Sequence, residues 1–229
     1  MTRSVGEVSQ AMPLIVAMTG ATGAIYGIRL LEALAASGVP TYLVISEWAE
    51  KTILAETSWK PANVRALADH VYEEDDFEAP LAHVDLATAG MVVAPCSMKS
   101  LAAIANGIAD NLIQRAAEIA LHERRRLLLL VRESPLSVVH LENMLLAAKA
   151  GAVVMPPVPA FYAKPASLEE MVDHTVGRIL DHLAVDHDLV QRWGERRRTS
   201  PRDMATGRGR GREREEPSPR RALDGGEDG

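Results

Sequence analysis

Cysteine is almost missing from this chain: Cys96 is the single thiol in 229 residues. That excludes an internal disulfide framework and a zinc site built on cysteines. Aromatic residues are scarce as well, at 4% against an apolar content of 47%, so the apolar fraction is mostly aliphatic. Aliphatic-rich segments suit parallel strands buried under helices on both faces, and a chain of this length can bury one substantial core. No apolar stretch approaches the ~20 residues that a membrane-spanning helix requires. Residues 1–12 are mixed and polar, and the apolar run after them, Leu14–Met18, spans five residues. That is shorter than the roughly 7–15 residues of a secretory signal core. The expectation is a soluble, cytoplasmic protein with no membrane partner.

The net charge of −6 is unevenly spread. From Gly194 onward the chain is rich in Arg, Glu, Gly and Pro, with runs such as Arg196-Arg197-Arg198 and Gly207-Arg208-Gly209-Arg210-Gly211-Arg212. Such a segment has too little apolar surface to offset its ordering entropy. Arg–Gly repeats can bind RNA, but interleaved Asp and Glu nearly cancel the positive charge here. The body before the tail is acidic, which argues against nucleic acid as a partner. The expected organisation is a flexible N-terminus over 1–12, one folded domain over 13–193 and a disordered, solvated tail over 194–229.

Strand-like and helix-like patterns alternate along the body. Residues 13–18 read as a strand and 23–37 as an amphipathic helix (Ile25, Ile28, Leu31, Leu34) that stops near Gly38. Residues 39–45 read as a second strand and 47–56 as a second helix, followed by an irregular stretch over 59–85. A third strand over 91–94 is halted by Pro95, and 99–122 is helical with a break at Gly107. Residues 127–131 and 152–155 read as the fourth and fifth strands, with a helix over 140–150 between them. Pro156-Pro157-Val158-Pro159 suits neither a helix nor a central strand. Ser167 and Glu170 form a capping-box pattern that opens the last helix. This alternation predicts an α/β fold, a parallel sheet with helices on both faces.

The most informative segment is Thr19-Gly20-Ala21-Thr22-Gly23-Ala24-Ile25-Tyr26. A strand that turns through two glycines into a helix N-terminus offers backbone N–H groups and a positive dipole end to an anion. The spacing is Gly-x-x-Gly, without the Gly-x-Gly-x-x-Gly of dinucleotide sites or a Gly-Lys-Ser/Thr, so a single phosphate is the better match. A tight strand–helix turn that holds no ligand is the competing explanation. In open parallel sheets, ligands sit at the carboxyl ends of the strands. The segments there are 20–22, Ser46, 95–100, 132–135 and 156–162: glycines, small hydroxyls, one arginine and one glutamate. That set suits an anionic, partly aromatic ligand and not a metal. Cys96 has no histidine beside it in the sequence and reads as a packed small residue.

These same segments match the UbiX/Pad flavin prenyltransferase family. The matching text is Met18-Thr19-Gly20-Ala21-Thr22-Gly23-Ala24, Ala94-Pro95-Cys96-Ser97-Met98-Lys99, Asn111-Leu112-Ile113-Gln114-Arg115-Ala116-Ala117, Arg132-Glu133-Ser134-Pro135-Leu136-Ser137, His140-Leu141-Glu142-Asn143-Met144 and Pro156-Pro157-Val158-Pro159-Ala160-Phe161-Tyr162. It runs in family order over roughly residues 13–194. The chain thus resembles a flavodoxin-like (Rossmann-type) FMN protein. The resemblance implies a metal-independent prenyltransferase that joins a dimethylallyl group, from dimethylallyl phosphate, to N5 and C6 of reduced FMN. Its product, prenylated FMN, would serve a UbiD-like decarboxylase, and the protein would be a homo-oligomer, a dodecamer in the family. By position, the resemblance implies that Gly20, Ala21, Thr22, Ser46, Ser97, Met98, Lys99, Ser100 and Arg132 hold FMN. It implies that Tyr162 and Arg178 meet the prenyl donor and that Trp193 helps close the site. Glu56 and Glu133 correspond to acidic residues of the family's active site, so catalysis would rest on Glu56, Glu133, Arg132 and Tyr162.

Ionising an allylic phosphate builds charge on the departing oxygens, and a guanidinium can grip them in a bidentate fashion. Forming the C6 bond releases a ring proton, which calls for a carboxylate base. An aromatic face would stabilise the allyl cation. Each candidate also has an ordinary structural role open to it: surface ion pairs for Arg132 and Arg178, helix caps or salt bridges for Glu56 and Glu133, an interface aromatic for Tyr162. Three departures from the family stand out. Ala82-His83-Val84-Asp85-Leu86 replaces a Ser-Gly-Ser type stretch expected near the prenyl phosphate, His122 replaces a lysine, and Leu130-Val131-Arg132-Glu133 lacks the usual proline. They leave open an FMN-binding paralogue that carries or stores flavin without transfer. A flavin-dependent decarboxylase of the cysteine-decarboxylase group is a third alternative, but its histidine after the first helix and its Asn-bearing loop are missing at the expected places.

Overall fold

The structure, a computed structural model, describes residues 12–189; Trp193 and the segment 194–229 lie outside the described residues. Six strands form one parallel sheet: β1 (Leu14–Met18), β2 (Thr41–Ile45), β3 (His70–Tyr72), β4 (Gly90–Cys96), β5 (Arg126–Val131) and β6 (Val153–Val154). Their spatial order is β3-β2-β1-β4-β5-β6, every adjacent pair parallel. The helices are α1 (Ala24–Ala36), α2 (Glu47–Glu56), α3 (Pro61–Arg65), α4 (Met98–Ala105), α5 (Leu112–His122), α6 (Val138–Ala150) and α7 (Leu168–Leu183). Without the short edge strand β3, the order is that of flavodoxin-like folds, and it reverses between β1 and β4. The crevice beyond the carboxyl ends of those two strands is therefore the expected ligand position.

Alternation along each strand divides the core in two. Leu14, Val16 and Met18 point to one face, where Ile28 and Leu31 of α1 and Val176, Ile179 and Leu180 of α7 cover them. Ile15 and Ala17 point to the other, among Leu101 of α4 and Ile113 and Ala117 of α5. All five β1 residues are buried, as a strand sandwiched between helix layers requires. Helix α1 lies tightly on this seam. A Cβ on Gly27 would fall 2.3 Å from the Ala94 carbonyl oxygen and 2.9 Å from Met18 Cε.

Four local expectations change. The stretch 59–85 holds the edge strand β3 and the short helix α3, which Pro61 opens at its first turn. Three residues are too few to show a strand period in the sequence. Pro95 lies within β4 instead of ending it: pairing resumes at Cys96↔Val131 after an irregularity between Val93 and Cys96, the kind of place where a strand tolerates a residue with no N–H. Helix α6 starts at Val138, two residues before the expected 140, because Ser137 caps it reciprocally with His140. At α7 the capping box is incomplete. The Ser167 hydroxyl accepts from Glu170 N, but the Glu170 carboxylate takes the Ala166 N–H instead of that of Ser167.

Replacing Gly27 with Ala forces α1 off the sheet. The variant is expected to lose about 2 kcal/mol of stability, read from urea midpoints, whereas an unchanged midpoint would mean that α1 shifts without penalty.

Candidate active site

The carboxyl rim is organised by Thr19, at the end of β1. Its backbone N–H and its hydroxyl both donate to the Pro95 carbonyl, at 3.1 and 2.9 Å, and the same hydroxyl accepts from Ser97 N at 2.8 Å. One buried side chain thus ties the glycine turn to the loop that starts α4. In that loop the Ser97 hydroxyl caps α4 by accepting from Ser100 N and lies 3.1 Å from the Ser100 hydroxyl. Among the described residues, the N–H groups of Met98 and Lys99 meet no acceptor, and the Lys99 ammonium has no carboxylate partner. Arg132 follows β5 and reaches the same loop through its backbone, donating to the Cys96 carbonyl at 3.2 Å. Its exposed guanidinium makes no hydrogen bond or ion pair among the described residues. Its charge falls on Tyr26 of α1, where burial raises the phenol's pKa while the Thr175 hydroxyl and Arg132 oppose the rise.

In the glycine turn, Ala21 N donates back to the Thr19 carbonyl at 2.8 Å, while the N–H groups of Gly20 and Thr22 meet no acceptor among the described residues. A side chain at Gly20 would collide with Trp48, whose Cβ would be 2.4 Å away. Ser46 is buried and caps α2, accepting from Ala49 N at 3.1 Å. Glu56, the last residue of α2, reaches across to α1, where its Oε2 accepts from Gly23 N at 2.7 Å and from Ala24 N at 3.2 Å. A carboxylate already satisfies the first N–H groups of α1, so this acidic side chain has a structural role as a helix cap. Glu133 is exposed at the rim, with Oε1 accepting from the adjacent Ser134 N.

Tyr162 and Arg178 stand together by way of α7. The Tyr162 hydroxyl lies 3.2 Å from His174 Nε2, and His174 is one helical turn before Arg178 on the same face. Arg178 is braced by Asp181 at 3.1 Å. Sequence reasoning missed His174 and Thr19. The signal for His174 was its spacing of four from Arg178, and that for Thr19 was its place at the head of the glycine turn.

Of the departures from the family, the missing proline is at Val131, beside Arg132 at the rim, and the other two lie elsewhere. His83 and Asp85 precede β4 and His122 ends α5, all exposed at the amino edge of the sheet. Arg125, the residue before β5, holds this segment by donating to the carbonyls of Leu86 and Val84. Within one chain they lie at the other end of the strands from the glycine turn and Tyr162. Cys96 is fully buried, and burial pushes its thiol up to about 12. Among the described residues no group of His, Cys, Asp and Glu could hold a metal ion.

Two outcomes follow. Glu56→Ala removes the acceptor of two N–H groups and is expected to lower stability by about 1 kcal/mol. Glu56→Gln keeps an acceptor oxygen and is expected to match the wild type in the same denaturation series. Cys96 stays protonated in the fold, so its contribution to stability is intact below its ordinary value of 9.0 and lost as pH rises toward about 12. Iodoacetamide at pH 8.5 should label it only in unfolded protein; rapid labelling of the native state would contradict this burial.

Comparison with known proteins agrees with this geometry. The Flavoprotein family model matches residues 2–180. A probable UbiX-like flavin prenyltransferase of Bacillus subtilis is 53% identical over 180 residues, covering 79% of this chain and 88% of that one. The crystal structure of AnUbiX (PadA1) in complex with FMN and dimethylallyl pyrophosphate is 51% identical with a TM-score of 0.80, covering 82% of this chain and all of the other. A dodecameric FMN-dependent UbiX-like decarboxylase from Escherichia coli O157:H7 is 46% identical with a TM-score of 0.78 and covers 80% of this chain. At this identity over most of both chains, the chain belongs to the UbiX-like flavin prenyltransferase family.

Proposed function

We propose that this protein transfers a dimethylallyl group from dimethylallyl phosphate to N5 and C6 of reduced FMN, and that a UbiD-like decarboxylase takes up the product. The observation that carries this reading is the exposed Arg132 guanidinium, unpaired among the described residues, on a residue whose backbone joins the loop opening α4, where two N–H groups are unengaged. A cation and outward donors on one rim make a seat for a phosphate ester. The rest of the donor set fits FMN: the N–H groups of Gly20 and Thr22, the hydroxyls of Thr22, Ser97 and Ser100, and the hydroxyl of Ser46.

Reduced FMN supplies the nucleophilic N5 and C6. Arg132 and Arg178 counter the charge that grows on the donor's phosphate as its C–O bond breaks. Tyr162 adds a hydroxyl donor and a ring face for the allyl cation. Glu133 is exposed at the rim and engaged only by its neighbour's N–H, so its carboxylate serves as the base for the ring proton. Glu56 holds the α1 N-terminus in place. Trp193, outside the described residues, is proposed to help close the site.

Assembly has its own support. Val138, Val139, Leu141, Leu145 and Leu146 of α6 are all exposed, and only Ala147 of that helix is buried. A helix apolar around its circumference needs cover, and one of the similar proteins is dodecameric. We propose the same kind of assembly here, with the amino-edge residues His83, Asp85 and His122 reaching a donor only where it is bound by another copy. A cytoplasmic setting is part of the same proposal; no described helix is long and apolar enough to cross a membrane.

Incubation with reduced FMN and dimethylallyl phosphate, followed by mass analysis of the flavin, tests the function. A gain of one C5H8 unit supports transfer, and flavin bound but unchanged identifies a carrier. Running the diphosphate in parallel identifies the preferred donor. Arg132→Ala is expected to weaken FMN retention at least about tenfold. Glu133→Gln should retain flavin and stall ring closure, and normal product from it would remove Glu133 from the mechanism. Leu141→Glu combined with Leu145→Glu should reduce the mass of the assembly measured by light scattering.

A further inference from the structure

Tyr162 is 70% exposed, and a phenol so exposed has no packing to fix its direction. The His174 ring supplies that direction. Its Nε2 is 3.2 Å from the Tyr162 hydroxyl, and the two rings meet edge to face at 5.7 Å and 83°. His174 and Arg178 are four residues apart on α7, so the side chain that holds Tyr162 stands on the same helical face as the guanidinium. Arg178 is fixed from behind, since Asp181 takes its Nη1 at 3.1 Å and is itself held by the His187 Nε2 at 3.1 Å. Tyr162, His174, Arg178, Asp181 and His187 form one braced row.

We propose that His174 is a positioning residue for the prenyl donor: it keeps the Tyr162 hydroxyl beside Arg178 with its proton turned out toward the phosphate. The argument is one of donors and acceptors. A phosphate monoester dianion only accepts, so Tyr162 helps hold it only if its O–H is free to donate. A bare Nε2 would take that proton and turn the phenol's lone pairs to the phosphate. An Nε2 that carries hydrogen donates to the phenol oxygen and releases the O–H. Donor binding therefore selects the Nε2–H form of His174. Burial and the Arg178 charge lower the imidazole's pKa while Asp181 raises it, and a neutral ring chooses between those two forms by moving a single hydrogen. Arg29, on the packed helix α1, is tied to Asp173 and Glu32 and so is held away from this row.

This inference rests on the proposed function, and its test separates the two. In FMN-loaded protein, His174→Phe keeps a ring and loses the hydrogen bond. Its KM for dimethylallyl phosphate is expected to rise about fivefold, with kcat and FMN affinity close to wild type. His174→Gln places an amide nitrogen near the former Nε2 and should restore most of the lost KM. Because His174 acts through Tyr162, adding His174→Phe to Tyr162→Phe should cost nothing further. An unchanged KM in His174→Phe, additive losses in the double variant, or loss of FMN along with donor would each overturn the assignment. Wild-type protein that binds FMN but transfers nothing would overturn the proposed function and this inference with it.

Discussion

The hydrogen bonds of Thr19 are the constraint on which the rest of the site depends. A doubly wound sheet leaves a gap at the point where its strand order reverses, and the two strands bordering the gap, β1 and β4, send their chains in opposite directions as they leave it. Thr19 closes the base of that gap with three hydrogen bonds, two to the Pro95 carbonyl and one from Ser97 N. The glycine turn and the Ser97 loop are far apart in sequence, and this side chain fixes their spacing. Pro95 has a part in it: without an N–H of its own, it sits where the ladder is irregular and gives its carbonyl wholly to Thr19. Gly27 completes the arrangement from above by letting α1 lie directly on the seam.

Around that seam the helix ends are satisfied unequally, and the inequality singles out the site. Helix α1 has Glu56 on its first N–H groups. Helix α2 has the Ser46 hydroxyl on Ala49 N and the Glu74 carboxylate on Glu47 N. Helix α4 has only Ser97, and Arg132 stands beside it. An anion arriving at the rim finds a carboxylate already seated at α1 and open donors at α4. Part of the α1 terminus behind the Gly-x-x-Gly turn is spent on internal capping, while the first N–H groups of the Ser-Met-Lys-Ser helix are unengaged among the described residues.

Much of this was legible in the sequence because it depends on local chemistry. The apolar run 14–18, the glycine turn and the serine caps each announce an element within a few residues of themselves, and the parallel sheet follows from their alternation. The edge strand at His70–Tyr72 was not legible, since a three-residue strand exists only through its pairing with β2. Glu56 was marked as acidic and near the site, but its partners, Gly23 and Ala24, are more than thirty residues away. His174 stayed hidden for the same reason: in sequence it is one of seven histidines, and only the fold brings it to Tyr162. Caps and pairs made across the chain are tertiary facts, and no periodicity encodes them.

The departures from the family also acquire a different meaning in three dimensions. As text, His83, Asp85 and His122 look like separate lesions in one donor site. In the fold they lie at the amino edge, at the other end of the strands from Tyr162, with Arg125 holding the segment that carries His83 and Asp85. The glycine turn, the Ser-Met-Lys-Ser loop and Arg132 are all present at the carboxyl rim, where Val131 stands in place of the usual proline, and the other two departures lie at the amino edge. The exposed apolar α6 makes neighbours energetically favourable. Under the assembly proposed above, any effect of these three residues on prenyl transfer passes through a neighbouring copy.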